Sequence, residues 1–167
     1  MPRRTPSKSS KKPGTPPGPR ASAELGRCNL EISDLVGTWR AAGQEKVSRD
    51  GAISRRTAAD SSGHLIYTAD GFVMVLDRAI SKVPAREVDS LTTAQKAVIA
   101  AGTVAYFGRF VLEAGTVFHH IETALFPVWE GQVRTRHASL EGDRLTLTTS
   151  PAENGDVTSI HWDKVLA

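Results

Sequence analysis

One cysteine, Cys28, stands in 167 residues, so no intrachain disulfide can form. That fits a reducing cytoplasm, where thiols stay unpaired. No run of eighteen or more apolar residues occurs, so no membrane helix is expected. The basic N-terminus is followed by no apolar segment, and a secretory signal is therefore not expected. No Cys/His cluster has zinc-finger spacing, no glycine-rich phosphate loop stands between a strand and a helix, and no nucleophile elbow supports a Ser-His-Asp hydrolase. The expectation is a protein without metal or cofactor.

The net charge of +3 hides a division. Residues 1–30 hold seven basic side chains against one acidic, and the remaining 137 hold 14 basic against 17 acidic. The high pI thus belongs to a tail, "MPRRTPSKSSKKPGTPPGPRAS", that is rich in Pro, Ser and Lys/Arg and nearly free of apolar residues. Such a stretch buries too little surface to offset the entropy of ordering it. Residues 1–30 are read as a disordered tail and 31–167 as one folded domain. Contact with nucleic acid, if any, falls to that tail, because the acidic domain offers no aromatic-basic face.

From Leu35 onward the pattern turns to short β-rich runs. "ADG" (69–71), "EAGT" (113–116), "EGDR" (141–144) and "ENGD" (153–156) supply the turn chemistry of hairpins. Serial hairpins imply an antiparallel meander of eight or nine strands, and a meander that long closes into an up-and-down barrel. One segment differs. "SLTTAQKAVIAAG" (90–102) has good helix formers, a capping-box spacing from Thr92 to Gln95, and Gly102 as a C-cap. Ala94, Ala97, Val98 and Ala101 form its apolar stripe, and such a helix would cover one barrel mouth.

The stretch "TVFHHIETALFPVWEGQVRTRHASLEGDRLTL" gathers the polar residues that could build a site. Strand alternation puts Val117, His119 and Ile121 on one face and Phe118, His120 and Glu122 on the other. The more apolar face carries His119 inward. His119 and His120 then diverge, so they cannot share a metal. Arg134 and Arg136 share one face of the next run, which leads inward to Leu140. Tyr106, Gly108 and Phe110 share a face of "AYFGRF", where Gly108 leaves room. Trp129 follows Phe126-Pro127 in a loop at the mouth. The candidate pocket comprises Tyr106, His119 and Arg136 as polar groups among Phe110, Trp129 and Met74. Apolar walls with a few convergent polar groups suit a small ligand. The arginine would grip a carboxylate, enolate or phenolate, and the histidine would move a proton. The alternative is that His119 is a satisfied core histidine and the arginines brace the sheet.

The motifs together resemble a known family. "GTW", "GHLIYTADG", "AYFGRF", "VFHHIE", "PVWEG", "RTRHASLEGDRLTL" and "IHW" follow in the order seen in the lipocalin-like domain proteins of bacteria and fungi. The resemblance spans roughly residues 33–166. It implies a small β-barrel with an interior pocket, in which Trp39 closes the floor beneath a basic side chain of a late strand, here Lys164. It also implies a link of some members to secondary metabolism. Two functions share the same residues. One is a binding module for a small, partly apolar, optionally anionic molecule. The other is a cofactor-free cyclase, isomerase or dehydratase using His119 as acid or base. No feature of the sequence fixes the oligomeric state.

If the tail contributes nothing to folding, a chain beginning at Leu30 should melt within a few degrees of the full-length protein in a thermal melt. A large drop would mean that the tail packs.

Overall fold

The computed structural model describes residues 30–80 and 87–166. The expected tail therefore lies outside the described residues, apart from Leu30. Nine strands follow in order: β1 Gly37–Val47, β2 Ile53–Thr57, β3 Ser61–Tyr67, β4 Phe72–Ala79, β5 Thr103–Glu113, β6 Thr116–Ala124, β7 Val133–Glu141, β8 Arg144–Thr148 and β9 Val157–Lys164. All neighbours are antiparallel, and β1 pairs with β9 as well as with β3. Eight strands thus close an antiparallel barrel, and β2 is extra. The four glycine-containing turns read from the sequence each join neighbouring strands of the ring.

The extra strand arises because β1 changes partner along one side. Gly37 to Arg40 pair with β3, whereas Gly43 to Val47 pair with β2. The switch falls at Gly43, where φ is +141°. A Cβ there would lie 2.7 Å from the Arg56 carbonyl oxygen, so only glycine lets β2 come this close. The strand also bulges at this point against β9. β2 therefore extends the sheet beside the C-terminal half of β1, on the flank where β3 pairs with the first half.

The barrel end at the N-terminus of β1 is the floor. A short helix, α1 (Ile32–Leu35), runs under it and buries Leu35 completely. Trp39 is also fully buried, and its indole Nε1 donates to the Leu35 carbonyl at 2.8 Å. Lys164 Nζ stands 5.1 Å from the centre of the Trp39 ring, the basic group over the floor tryptophan that the family pattern implied. Leu65, Tyr67, Val73, Val117 and Leu145 complete this end of the core.

The helix expected near residues 92–101 is α2 (Thr93–Ala101), with Thr92 as N-cap, the Thr92–Gln95 capping box and Gly102 as C-cap. Its packing differs from expectation. Ala94, Ala97, Val98 and Ala101 face solvent, and the half-buried positions are Leu91, Gln95, Ile99 and Ala100. Alanine stripes offer little area, so the larger Leu91 and Ile99 decide which face turns inward. The Thr103 hydroxyl donates to the Ile99 carbonyl at 2.7 Å and ties the helix to the start of β5. No helix residue is fully buried, so α2 flanks the mouth and does not plug the lumen. No helix among the described residues is long and apolar enough to cross a membrane.

Replacing Trp39 by alanine should cost about 3–5 kcal/mol in urea unfolding, as for other large-to-small changes in a packed core. An unchanged midpoint would contradict the floor role.

Candidate ligand-binding site

β6 carries the centre of the site. Val117, His119 and Ile121 are buried, while His120 and Glu122 face out, where Glu122 Oε1 lies 3.6 Å from Arg109 Nε. Across from β6, β5 bulges between Phe107 and Gly108. Gly108 is needed for this bulge. A Cβ there would lie 1.9 Å from the His120 carbonyl oxygen, so the space expected beside Gly108 is occupied by the backbone of β6 and is not pocket. On the other side of β6, Arg134 pairs in register with His119, and Arg136 with Val117.

His119 is 1% exposed and lies between two phenols. Tyr67 Oη is 2.7 Å from His119 Nε2, and Tyr106 Oη is 2.7 Å from Nδ1. Burial, followed by the charges of Arg136 and Arg134, pushes the His119 pKa down to about 3. The ring is therefore neutral near pH 7, with one nitrogen donating and one accepting. Tyr67 is 1% exposed and has no other hydrogen-bond partner among the described residues. Its single proton is best used on Nε2, because otherwise a buried O–H would point at nothing. Nδ1–H then donates to Tyr106, and the Tyr106 hydroxyl proton is left to turn elsewhere. Burial pushes the Tyr106 pKa up to about 12 and raises that of Tyr67 as well, so both phenols stay protonated.

Tyr106, His119, Arg134 and Arg136 form the polar wall of an enclosed cavity of about 60 Å³. Val75, Val104, Leu147 and Ile160 form its apolar wall, and Asp77 and Trp162 complete it. Burial lowers the Arg136 pKa, yet the guanidinium remains a cation. Arg136 Nη1 donates to the Thr135 carbonyl at 2.7 Å. Arg134 stacks on Trp129, with its guanidinium carbon 4.2 Å from the ring centre, and its Nε is buried without a partner. Among the described residues neither arginine has a carboxylate within ion-pair distance. The five ion pairs present use Lys46, Arg55, Arg56, Arg109 and Arg144.

Of the residues expected from the sequence, Tyr106, His119 and Arg136 converge on this cavity. Phe110 is buried but belongs to the core below it, 4.6 Å from the Tyr67 ring. Trp129 does not line the cavity. It sits in the turn Pro127–Trp129 at the mouth, edge-on to Phe126, and supports Arg134. Met74 was expected inside and is not. It is 43% exposed on the outer face of β4 with Leu76, because Val73, Val75 and Asp77 take the inner face. Met74, Leu76, Phe107 and Leu125 line an outer apolar groove instead.

Three contributors escaped the sequence reading: Tyr67, Asp77 and Arg56. Period two was the available signal for the first two. Tyr67 continues the inward face of Leu65, and Asp77 that of Val73 and Val75. Arg56 has no such signal. It reaches from β2, outside the ring, to bond Asp77 Oδ2 on β4. Among the described residues no three His, Cys, Asp or Glu side chains are close enough to hold a metal ion.

A family model described as lipocalin-like domain matches residues 36–165. Two solved structures are similar. One is a lipocalin-like protein from Bacteroides uniformis ATCC 8492, with 16% identity and a TM-score of 0.42, covering 79% of this chain and 99% of that one. The other is an uncharacterized protein from Bacteroides eggerthii DSM 20697, with 14% identity and a TM-score of 0.43, covering 79% of this chain and 100% of that one. No curated protein matches the chain.

The low His119 pKa has a measurable consequence. The unfolded histidine takes up a proton below about pH 6.5, and the folded one does so only near pH 3. Stability should therefore be full above pH 6.5 and fall on acidification, by up to about 1.4 kcal/mol for each pH unit in that window. Urea unfolding from pH 7 to pH 4 measures this. The His119→Gln protein, which keeps hydrogen-bonding capacity but does not titrate, should show a flatter profile.

Proposed function

From the chain's membership of the lipocalin-like domain family, whose barrel is a ligand-binding fold, we propose that this protein binds a small, partly apolar anion inside the barrel. One observation carries the reading: Arg134 and Arg136 converge on an enclosed cavity without a carboxylate partner among the described residues. Burying a cation costs several kcal/mol unless a counter-charge or hydrogen bonds compensate it. A carboxylate, enolate or phenolate supplies that compensation when it binds. Tyr106 donates to the same group with the proton His119 leaves free. Val75, Val104, Leu147 and Ile160 cover the apolar part of the ligand.

The cavity of about 60 Å³ is far below the roughly 300–1,000 Å³ of common ligand pockets. It takes a molecule of few heavy atoms, or the head of a longer one whose tail leaves through the mouth. A cofactor-free enzyme in the same pocket is the second reading. Tyr106 and Arg136 would serve it as oxyanion donors. His119 does not serve it as a base, since both its nitrogens are held on tyrosines and it is a poor proton acceptor near pH 7. The proton-moving role expected of His119 is therefore not part of the reading.

Arg136→Met separates a ligand-gripping arginine from a bracing one. Removing a buried cation that lacks a partner should leave the melting temperature unchanged or raised. Affinity for carboxylates found in a thermal-shift screen should fall by about 1.5–3 kcal/mol by calorimetry. A destabilised variant with unchanged affinity would make Arg136 a brace and refute the proposal.

A further inference from the structure

The cavity wall holds three buried polar atoms that have no partner: Asp77 Oδ1, Arg134 Nε and Trp162 Nε1. Asp77 is 3% exposed and Trp162 1%. Buried polar groups in folded proteins are nearly always bonded, so each such atom asks for something the chain itself does not provide. The three are not alike. Arg134 Nε and Trp162 Nε1 donate, as do Arg136 and the freed Tyr106 hydroxyl. Asp77 Oδ1 accepts. The His119 nitrogens, which could have accepted, are both spent on tyrosines. The wall is therefore rich in donors and has one free side-chain acceptor.

Resting on the anion reading above, we propose that the ligand carries a neutral hydrogen-bond donor beside its anionic group, that this donor is a hydroxyl received by Asp77, and that the ligand class is accordingly a small hydroxy acid. The charge balance selects a hydroxyl over an ammonium. Asp77 Oδ2 is bonded to Arg56, whose cation matches the Asp77 charge. Arg134 and Arg136 already face the cavity without counter-charges. With the ligand's anion matched to one arginine, an ammonium would add a second unmatched cation to the cavity, whereas a hydroxyl meets Asp77 Oδ1 at no charge cost. An acid without any donor would leave that oxygen buried and unbonded, and such losses discriminate strongly between otherwise similar ligands. Asp77 is on this account the specificity-determining residue, and Arg56 sets the charge that Asp77 presents.

Calorimetric titration of the full chain at pH 7 with two matched series tests this. The first series is propionate, lactate and alanine. The second is butyrate, 3-hydroxybutyrate and 3-aminobutyrate. In at least one series the hydroxy acid should bind at least tenfold more tightly than the plain acid, and the amino acid more weakly than the hydroxy acid. The double variant Asp77→Leu/Arg56→Met removes the paired charges together. It should retain plain-acid binding and hold hydroxy and plain acids within about twofold. Arg56→Met alone leaves Asp77 uncompensated and should shift the preference toward the amino acid by at least tenfold. That variant decides the role of Asp77 should the double variant fail to fold. Equal binding of hydroxy and plain acids to the native protein overturns the proposal and leaves the anion reading standing. Binding of no acid overturns both. A hydroxy preference that survives in the folded double variant, or an amino-acid preference that Arg56→Met does not move, removes Asp77 from the specificity role.

Discussion

A neutral imidazole held between two phenols is the interaction on which the interior depends. Tyr67 reaches His119 from β3 and Tyr106 reaches it from β5, so the chain of hydrogen bonds crosses the lumen and ties β3 to the paired strands β5 and β6, with which it shares no backbone ladder. Burying a histidine is costly unless both nitrogens are bonded. Two tyrosines meet that demand and leave one proton over. The ring system also divides the barrel. Below it lie Trp39, Leu65, Phe110 and Leu145, packed as core. Above it lies the cavity, with its arginines.

The two halves obey different rules. The floor half is stabilised by apolar burial, and its one charged neighbour, Lys164, keeps its ammonium over an indole face. The upper half buries Asp77 and half-buries Arg134 and Arg136, and it leaves Asp77 Oδ1 and Arg134 Nε unbonded. Replacing such groups with apolar side chains of equal volume is often neutral or stabilising, so stability alone gives no reason to keep them. On the proposed reading these groups are binding machinery, and the apolar burial of the floor half offsets their cost.

Much of the fold was legible because its determinants are local. Glycine turns and two-residue alternation are properties of short stretches, and they specify hairpins without knowledge of the partner. The inward turn of His119 was legible for the same reason, since Val117 and Ile121 flank it on one face. Met74 was misread because "FVMVL" is apolar on both faces, and alternation carries no information until Asp77 is assigned inward. Gly108 was misread because the bulge that fills its space belongs to the pairing of β5 with β6, not to either strand alone. Tyr67 and Arg56 act across the lumen or from outside the ring, so their roles depend on closure. The α2 stripe failed because area, not periodicity, chose the buried face of a nine-residue helix.

Enclosure has a kinetic meaning. β2 extends the sheet beside the C-terminal half of β1, and the Arg56–Asp77 bond fastens it to β4, whose Asp77 lines the cavity. On the proposed binding reading, the Arg56–Asp77 bond holds a residue of the cavity wall in place from outside the ring. The barrel domain is also net acidic by sequence, which gives an approaching anion no long-range attraction to speed its encounter. On the same reading, ligands that differ widely in affinity differ chiefly in residence time, and the bond that fastens one outlying strand to the cavity wall bears on that time.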